Sequence, residues 1–161
     1  MDVLHLLVDA LAVGTLAAWA IVAVGDNWRF PDMNRAAVAM VVRMDLLAAE
    51  FPAEFARVAH RRVADPGRID ALFRLIRAAE TVAGVALCLS VAGLGLAAMG
   101  ALDPALAQGL ALLSVAGFAA IWAGFIVGGN FYAYWYCHQW AQSNHFMLLS
   151  WSFLVALLLL N

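Results

Sequence analysis

Two histidines and a cysteine sit in one uncharged aromatic stretch, GGNFYAYWYCHQWAQSNH, at residues 128–145. His138 and His145 are the side chains there best suited to hold a cofactor. They are seven residues apart, about 10.5 Å along a helix, too far to share one metal ion. A haem takes one axial histidine from each side, so either one could serve with a ligand from another helix; a quinone contact is the related alternative. The competing reading is a pair of hydrogen-bonded histidines at a membrane surface. Glu80 is the acid with most to explain, because it falls in a long apolar run. An ionised Glu in hydrocarbon needs a partner, and Arg77, three residues earlier, shares its helix face. An anchoring ion pair is the first reading, a bond to another helix the second, and a proton or substrate relay the third. Asp2, His5 and Asp9 share a face of the first apolar run; there a metal or proton site competes with groups reaching water. His60, beside Arg61 and Arg62, reads as solvated. The sequence shows no nucleophile–base set, phosphate-binding glycine loop or metal motif with ligand spacing, so no catalysis is expected.

These residues need elements to hold them, and the composition says in which solvent. Of 161 residues, 66% are hydrophobic and only 12% charged, about half the usual share. A soluble chain of this size cannot hide that much apolar surface, so lipid is the expected solvent. A net charge of −2 excludes nucleic acid as a partner class. Cys88 and Cys137 make neither a disulfide framework nor a zinc motif. The opening MDVLHLLVDALAVG lacks a basic first segment and a cleavage pattern, so it reads as a retained span rather than a secretory signal. A crossing needs roughly 20 mainly apolar residues, and four segments supply them: about 3–24, 69–99, 105–129 and 141–160. The turn GALDP joins the second and third, with Asp103 as cap and Pro104 at the first helical position. So short a turn makes them antiparallel neighbours.

Residues 25–68 differ. They hold seven of the nine basic residues, all arginine, and a similar number of acids. Asn34 is a candidate cap for an amphipathic helix with Val38, Val41, Val42 and Leu46 near one face, and a shorter piece follows Pro52. These pieces either lie along the membrane surface or pack over the ends of the spans. With four crossings, every arginine falls on one side, together with the aromatic stretch. The arginine bias places that side in the cytoplasm and both termini opposite. Small residues recur at four-residue intervals: Ala116, Ala120, Gly124 and Gly128 in the third span, Gly84, Cys88 and Ala92 in the second, Ala10, Gly14 and Ala18 in the first. Such rows permit close helix approach in lipid. They are assigned first to packing within the bundle and second to a face for another protein. Six aromatics at 128–145 form an interfacial belt and, as a second reading, a docking surface for a partner or lipid.

Several of these pieces resemble a bacterial family of predicted small integral membrane proteins, a domain of unknown function. Gly128, Gly129, Trp135 and Trp140 match its Gly-Gly-acidic-aromatic pattern. Met44 and Asp45 look like its Met-Asp pair, followed by Pro52, and Ile76 and Glu80 like its Ile-x-x-x-Glu. The chain departs at Asn130, where the family has an acid, at Tyr136 for Gln, and at Ala141 for Asn. The resemblance implies an all-α polytopic fold of four transmembrane helices, with an amphipathic helical loop between the first and second. It also implies a bacterial inner membrane. The expected function is a non-catalytic accessory subunit, held in the bilayer against a larger respiratory or photosynthetic complex, with no cofactor. The residues expected to matter are Asp45, Arg77, Glu80, Gly124, Gly128, Gly129, Trp135 and Trp140. The alternatives are a small transporter or proton conduit at Glu80, and a haem or quinone protein at His138 or His145.

Overall fold

The computed structural model describes residues 2–161, and every element among them is helical. α1 spans Val3–Arg29, α2 Pro31–Arg43, α3 Asp45–Glu50 and α4 Pro52–Val58; α5 spans Pro66–Ala98, α6 Pro104–Phe131, α7 Tyr134–Cys137 and α8 Gln139–Leu159. Four of them, α1, α5, α6 and α8, are long and apolar enough to cross a membrane.

Their ends follow local chemistry. The Asp2, Asp65 and Asp103 carboxylates each accept a backbone N–H in the first turn of α1, α5 and α6. Proline stands at the start of α2, α4, α5 and α6, where a missing N–H costs nothing. Asn34 does not cap α2: the helix starts earlier, at Pro31, and Asn34 lies inside it. The starting proline outweighs the candidate cap, and the amide is used elsewhere.

The long helices pack in chain order, α1 on α5, α5 on α6, α6 on α8, while α1 and α8 meet only sparsely. Leu16, Leu87, Leu94, Ala111, Val115 and Phe118 form much of the core. Gly14 of the α1 row and Gly84 of the α5 row work at the α1–α5 contact. A Cβ on Gly84 would sit 3.5 Å from Ala20 Cβ, and one on Gly14 would sit 3.9 Å from Val91. The third row does not pack inside. Ala116, Ala120 and Gly124 are exposed on the outer face of α6, and nothing lies within 4 Å of a Cβ built on Gly124 or Gly128. The larger side chains Phe118, Trp122 and Ile126 take the inner face instead, because they bury more apolar area per position.

Candidate functional site

Asp2, His5 and Asp9 lie at one end of the bundle; most of the residues singled out above gather at the other, the arginine end. Here α6 runs on to Phe131, and Ala133 turns the chain with a left-handed φ of 55°. One turn of helix, α7, swings Tyr134 back over Gly129. A Cβ on Gly129 would lie 2.9 Å from Tyr134 Cδ1, so the second glycine of the pair is what admits the tyrosine. Gly128 carries no such demand.

Tyr134 then organises both histidines. His138 stacks on its ring at 5.0 Å between centroids and His145 at 5.9 Å. His145 also stacks on Phe125 at 5.0 Å and Trp122 at 5.6 Å. The helix breaks at His138, so the straight-helix separation of about 10.5 Å does not apply. The ring cluster continues inward, with Trp19 and Phe118 edge-on to Trp122. Burial lowers the His138 pKa, and the nearby Glu50 charge partly opposes it. Burial raises that of Tyr134, and burial followed by the Glu50 charge raises that of Cys137. Both histidines sit among rings; among the described residues no three His, Cys, Asp or Glu side chains come together as a metal site.

The arginine-rich segment covers this stretch. Ala39 and Val42 of α2 pack on Ile69, Val63 and Tyr132. Met44, itself left-handed at φ 56°, packs with Leu47 and Ala133, flanked by Phe51, Tyr136 and Cys137. Of the two placements open to the segment, it takes the one over the span ends. Asp45, next to Met44, pairs with Arg62 at 3.3 Å. Arg61 donates to the Phe131 carbonyl at 3.0 Å and lies over its ring, while Arg35 pairs with Asp70. The aromatic stretch thus divides. Tyr132, Tyr134 and Tyr136 are wholly or partly covered, whereas Trp135 and Trp140 remain 44% and 78% exposed, just beyond the end of α6 and at the start of α8.

Glu80 lies one layer deeper. Its carboxylate accepts from Asn27 Nδ2 of α1, and Asn27 Oδ1 accepts from Asn34 Nδ2 at 2.5 Å. The expected Arg77–Glu80 ion pair does not form. Arg77 lies over Trp28 instead, 4.0 Å from the ring, and Trp28 Nε1 donates to Thr81 Oγ1 at 3.1 Å. An indole face holds a guanidinium by cation–π attraction, which leaves the carboxylate to the amide on the neighbouring helix. The second reading of Glu80 is the one found. Asn27, buried on α1, was missed because Asn in a run ending GDNWRF looks like loop.

A second missed pair lies mid-span, where Ser90 of α5 and Ser114 of α6 share a 2.8 Å hydrogen bond. Each hydroxyl also lies within hydrogen-bonding distance of a carbonyl one turn back on its own helix; each has a single proton, so the serine that donates across the interface gives up its own carbonyl. Such cross-helix bonds average about 0.6 kcal/mol. No sequence signal separates these serines from Ser152, which bonds only within α8.

Comparison with curated proteins and with solved structures finds no match. The match that does exist covers nearly the whole chain and takes in Asp45, Glu80, both glycines and the two exposed tryptophans. Residues 5–161 fit the family of predicted small integral membrane proteins, domain of unknown function 2165, and the chain belongs to that family.

Proposed function

We propose that this small integral membrane protein is a non-catalytic accessory subunit, docked in the bacterial inner membrane against a larger protein assembly. The carrying observation is the outer face of α6. Ala116, Gly117, Ala120 and Gly124 make a smooth patch on that face, between the exposed Leu113 and Val127, and no helix of the described chain covers it. Against lipid, a smooth helix face gains nothing over a leucine face. Against another helix it permits backbone approach and dense van der Waals contact, the main attraction available between helices in hydrocarbon. Trp135 and Trp140 stand exposed at the end to which this face leads, where a partner's interfacial rim would lie.

The arginine end is assigned to the cytoplasm, on the bias of all nine basic residues to one side. The test is purification in mild detergent followed by mass spectrometry of whatever accompanies the chain. A stoichiometric membrane partner is expected, and respiratory or photosynthetic subunits are the first class to look for. Gly124→Leu should release the partner without lowering the yield of the chain. Recovery of the wild-type chain alone, under conditions that keep known complexes intact, sinks the proposal.

A proton conduit through Glu80 is the second reading, and the Asn34–Asn27–Glu80 hydrogen-bond chain is what favours it. Beyond Glu80 the next interhelical polar pair, Ser90 with Ser114, is ten residues on, about 15 Å along the helix. Vesicle pH uptake lost in Glu80→Gln would establish it. The haem reading predicts a visible absorption band that disappears in His138→Ala or His145→Ala.

A further inference from the structure

At the opposite end of the bundle, Asp9 of α1 is completely buried. Its Oδ2 accepts from Gln108 Nε2 of α6 at 2.8 Å. Its Oδ1 has no hydrogen-bond partner among the described residues, and neither has the buried Nε2 of His5, one turn earlier. His5 Nε2 is 3.6 Å from Asp9 Oδ2, within ion-pair distance but beyond hydrogen-bonding reach. Every arginine is at the other end of the bundle, so none of them faces this carboxylate. A carboxylate held away from water calls for a positive partner.

Beside it opens a cleft of about 320 Å³, lined by Asp2, Leu4, His5, Val8, Asp9 and Leu158. It lies on the seam where α1 and α8 barely touch. Its lining mixes two kinds of group: carboxylates and an imidazole from the start of α1, and the aliphatic side chains Leu4, Val8 and Leu158. Its volume falls at the small end of the range for ligand sites, roughly 300–1,000 Å³.

We propose that this cleft binds a primary ammonium group carried on a short apolar body. The ammonium has three donors and no acceptor. Asp9 Oδ1 accepts one of them and His5 Nε2 a second, the two atoms left without a partner. The hydrocarbon lies against Leu4, Val8 and Leu158. A bare divalent ion fits less well, because no third ligating side chain closes on the pair. The same chemistry has two sources: a free alkylamine, or the ethanolamine headgroup of a membrane lipid entering along the seam.

The test uses the full chain in phosphatidylcholine nanodiscs near neutral pH, titrated with n-butylammonium chloride by calorimetry. Saturable binding of one equivalent is expected. Asp9→Asn should weaken it by about tenfold or more, the effect of losing one charge-assisted contact. Val8→Trp should abolish it by filling the cleft, with the carboxylate and the fold intact; tetrabutylammonium, which has no N–H, should not bind. In a second arm, nanodiscs containing phosphatidylethanolamine are analysed by native mass spectrometry. One retained phosphatidylethanolamine per chain, displaced by butylammonium and absent in Val8→Trp, identifies the lipid as the source. Binding of butylammonium with no retained lipid identifies a free amine. Absence of both, binding unaffected by Val8→Trp, or zinc binding where butylammonium fails would each overturn the proposal.

Discussion

Gly129 and Gly128 are adjacent and identical, yet the structure asks different things of them. A methyl on Gly129 runs into the Tyr134 ring, and the ring cannot retreat, because it is stacked with two histidines. Gly129→Ala should therefore destabilise the arginine end by ~1–3 kcal/mol, the usual penalty for overfilling a packed site. Gly128→Ala should be close to neutral in the isolated chain. Unfolding in mixed micelles, followed by near-ultraviolet circular dichroism of the ring stack, separates the two. His138 adds a pH dependence. Its folded pKa lies below its ordinary value near 6.5 because burial disfavours the imidazolium. The unfolded chain then binds more protons between the two values, so stability is full above the ordinary value and falls as pH drops toward the folded one. His138→Gln should flatten that decline; a decline of the same size in the variant would assign it to other groups. The Asp45–Arg62 and Arg35–Asp70 pairs are more than a third exposed and contribute little.

Among the elements, the long helices were the most legible, and the reason is physical. Lipid imposes a length and an apolarity on a crossing helix that few other structures share, so α1, α5, α6 and α8 appear in the sequence as runs. Capping by Asp103 and Pro104 was legible too, because it is decided within a few residues. The segment between α1 and α5 was less so. Its apolar residues fit a membrane surface or a protein surface equally well, and only the tyrosines of the aromatic stretch and the end of α5 settle the choice. The α6 row misled for a related reason. Spacing shows that Ala116, Ala120 and Gly124 share a face but not where that face points. Glu80 was legible as a problem and not as a solution, since its partner on α1 is remote in sequence. The docking of α2 is open to test. Val42→Asp places a charge against Ile69 and forfeits the ~1.5–3 kcal/mol that burying a valine contributes. The segment should undock and free the backbone around Arg57, Arg61 and Arg62, giving faster trypsin cleavage there with the helix content of the spans unchanged. Cleavage at the wild-type rate would mean that α2 is held by something other than this contact.

Across the whole molecule, the family match and the four long helices agree on an integral membrane protein, and the two ends of the bundle differ in kind. One end is broad, charged and ring-filled, with a cover of short helices. The other is narrow, with a five-residue turn, two helix ends and the Asp9 cleft. That cleft has Asp2 and Leu4 on one wall and Leu158 on the other, so the first and last turns of the described chain are neighbours. Neighbouring ends make the order of the helices along the polypeptide replaceable. A short flexible peptide joining Asn161 to residue 2, with the chain reopened at Gly100 in the tight turn, should give a circular permutant with the same helix contacts. Its α6 would be synthesised first and its α5 last. If that permutant inserts and retains the ring-stack dichroism of the parent, the order of synthesis is not what dictates this bundle. If it fails to insert, the α1–α5 pair must be made first for the remaining helices to find their places.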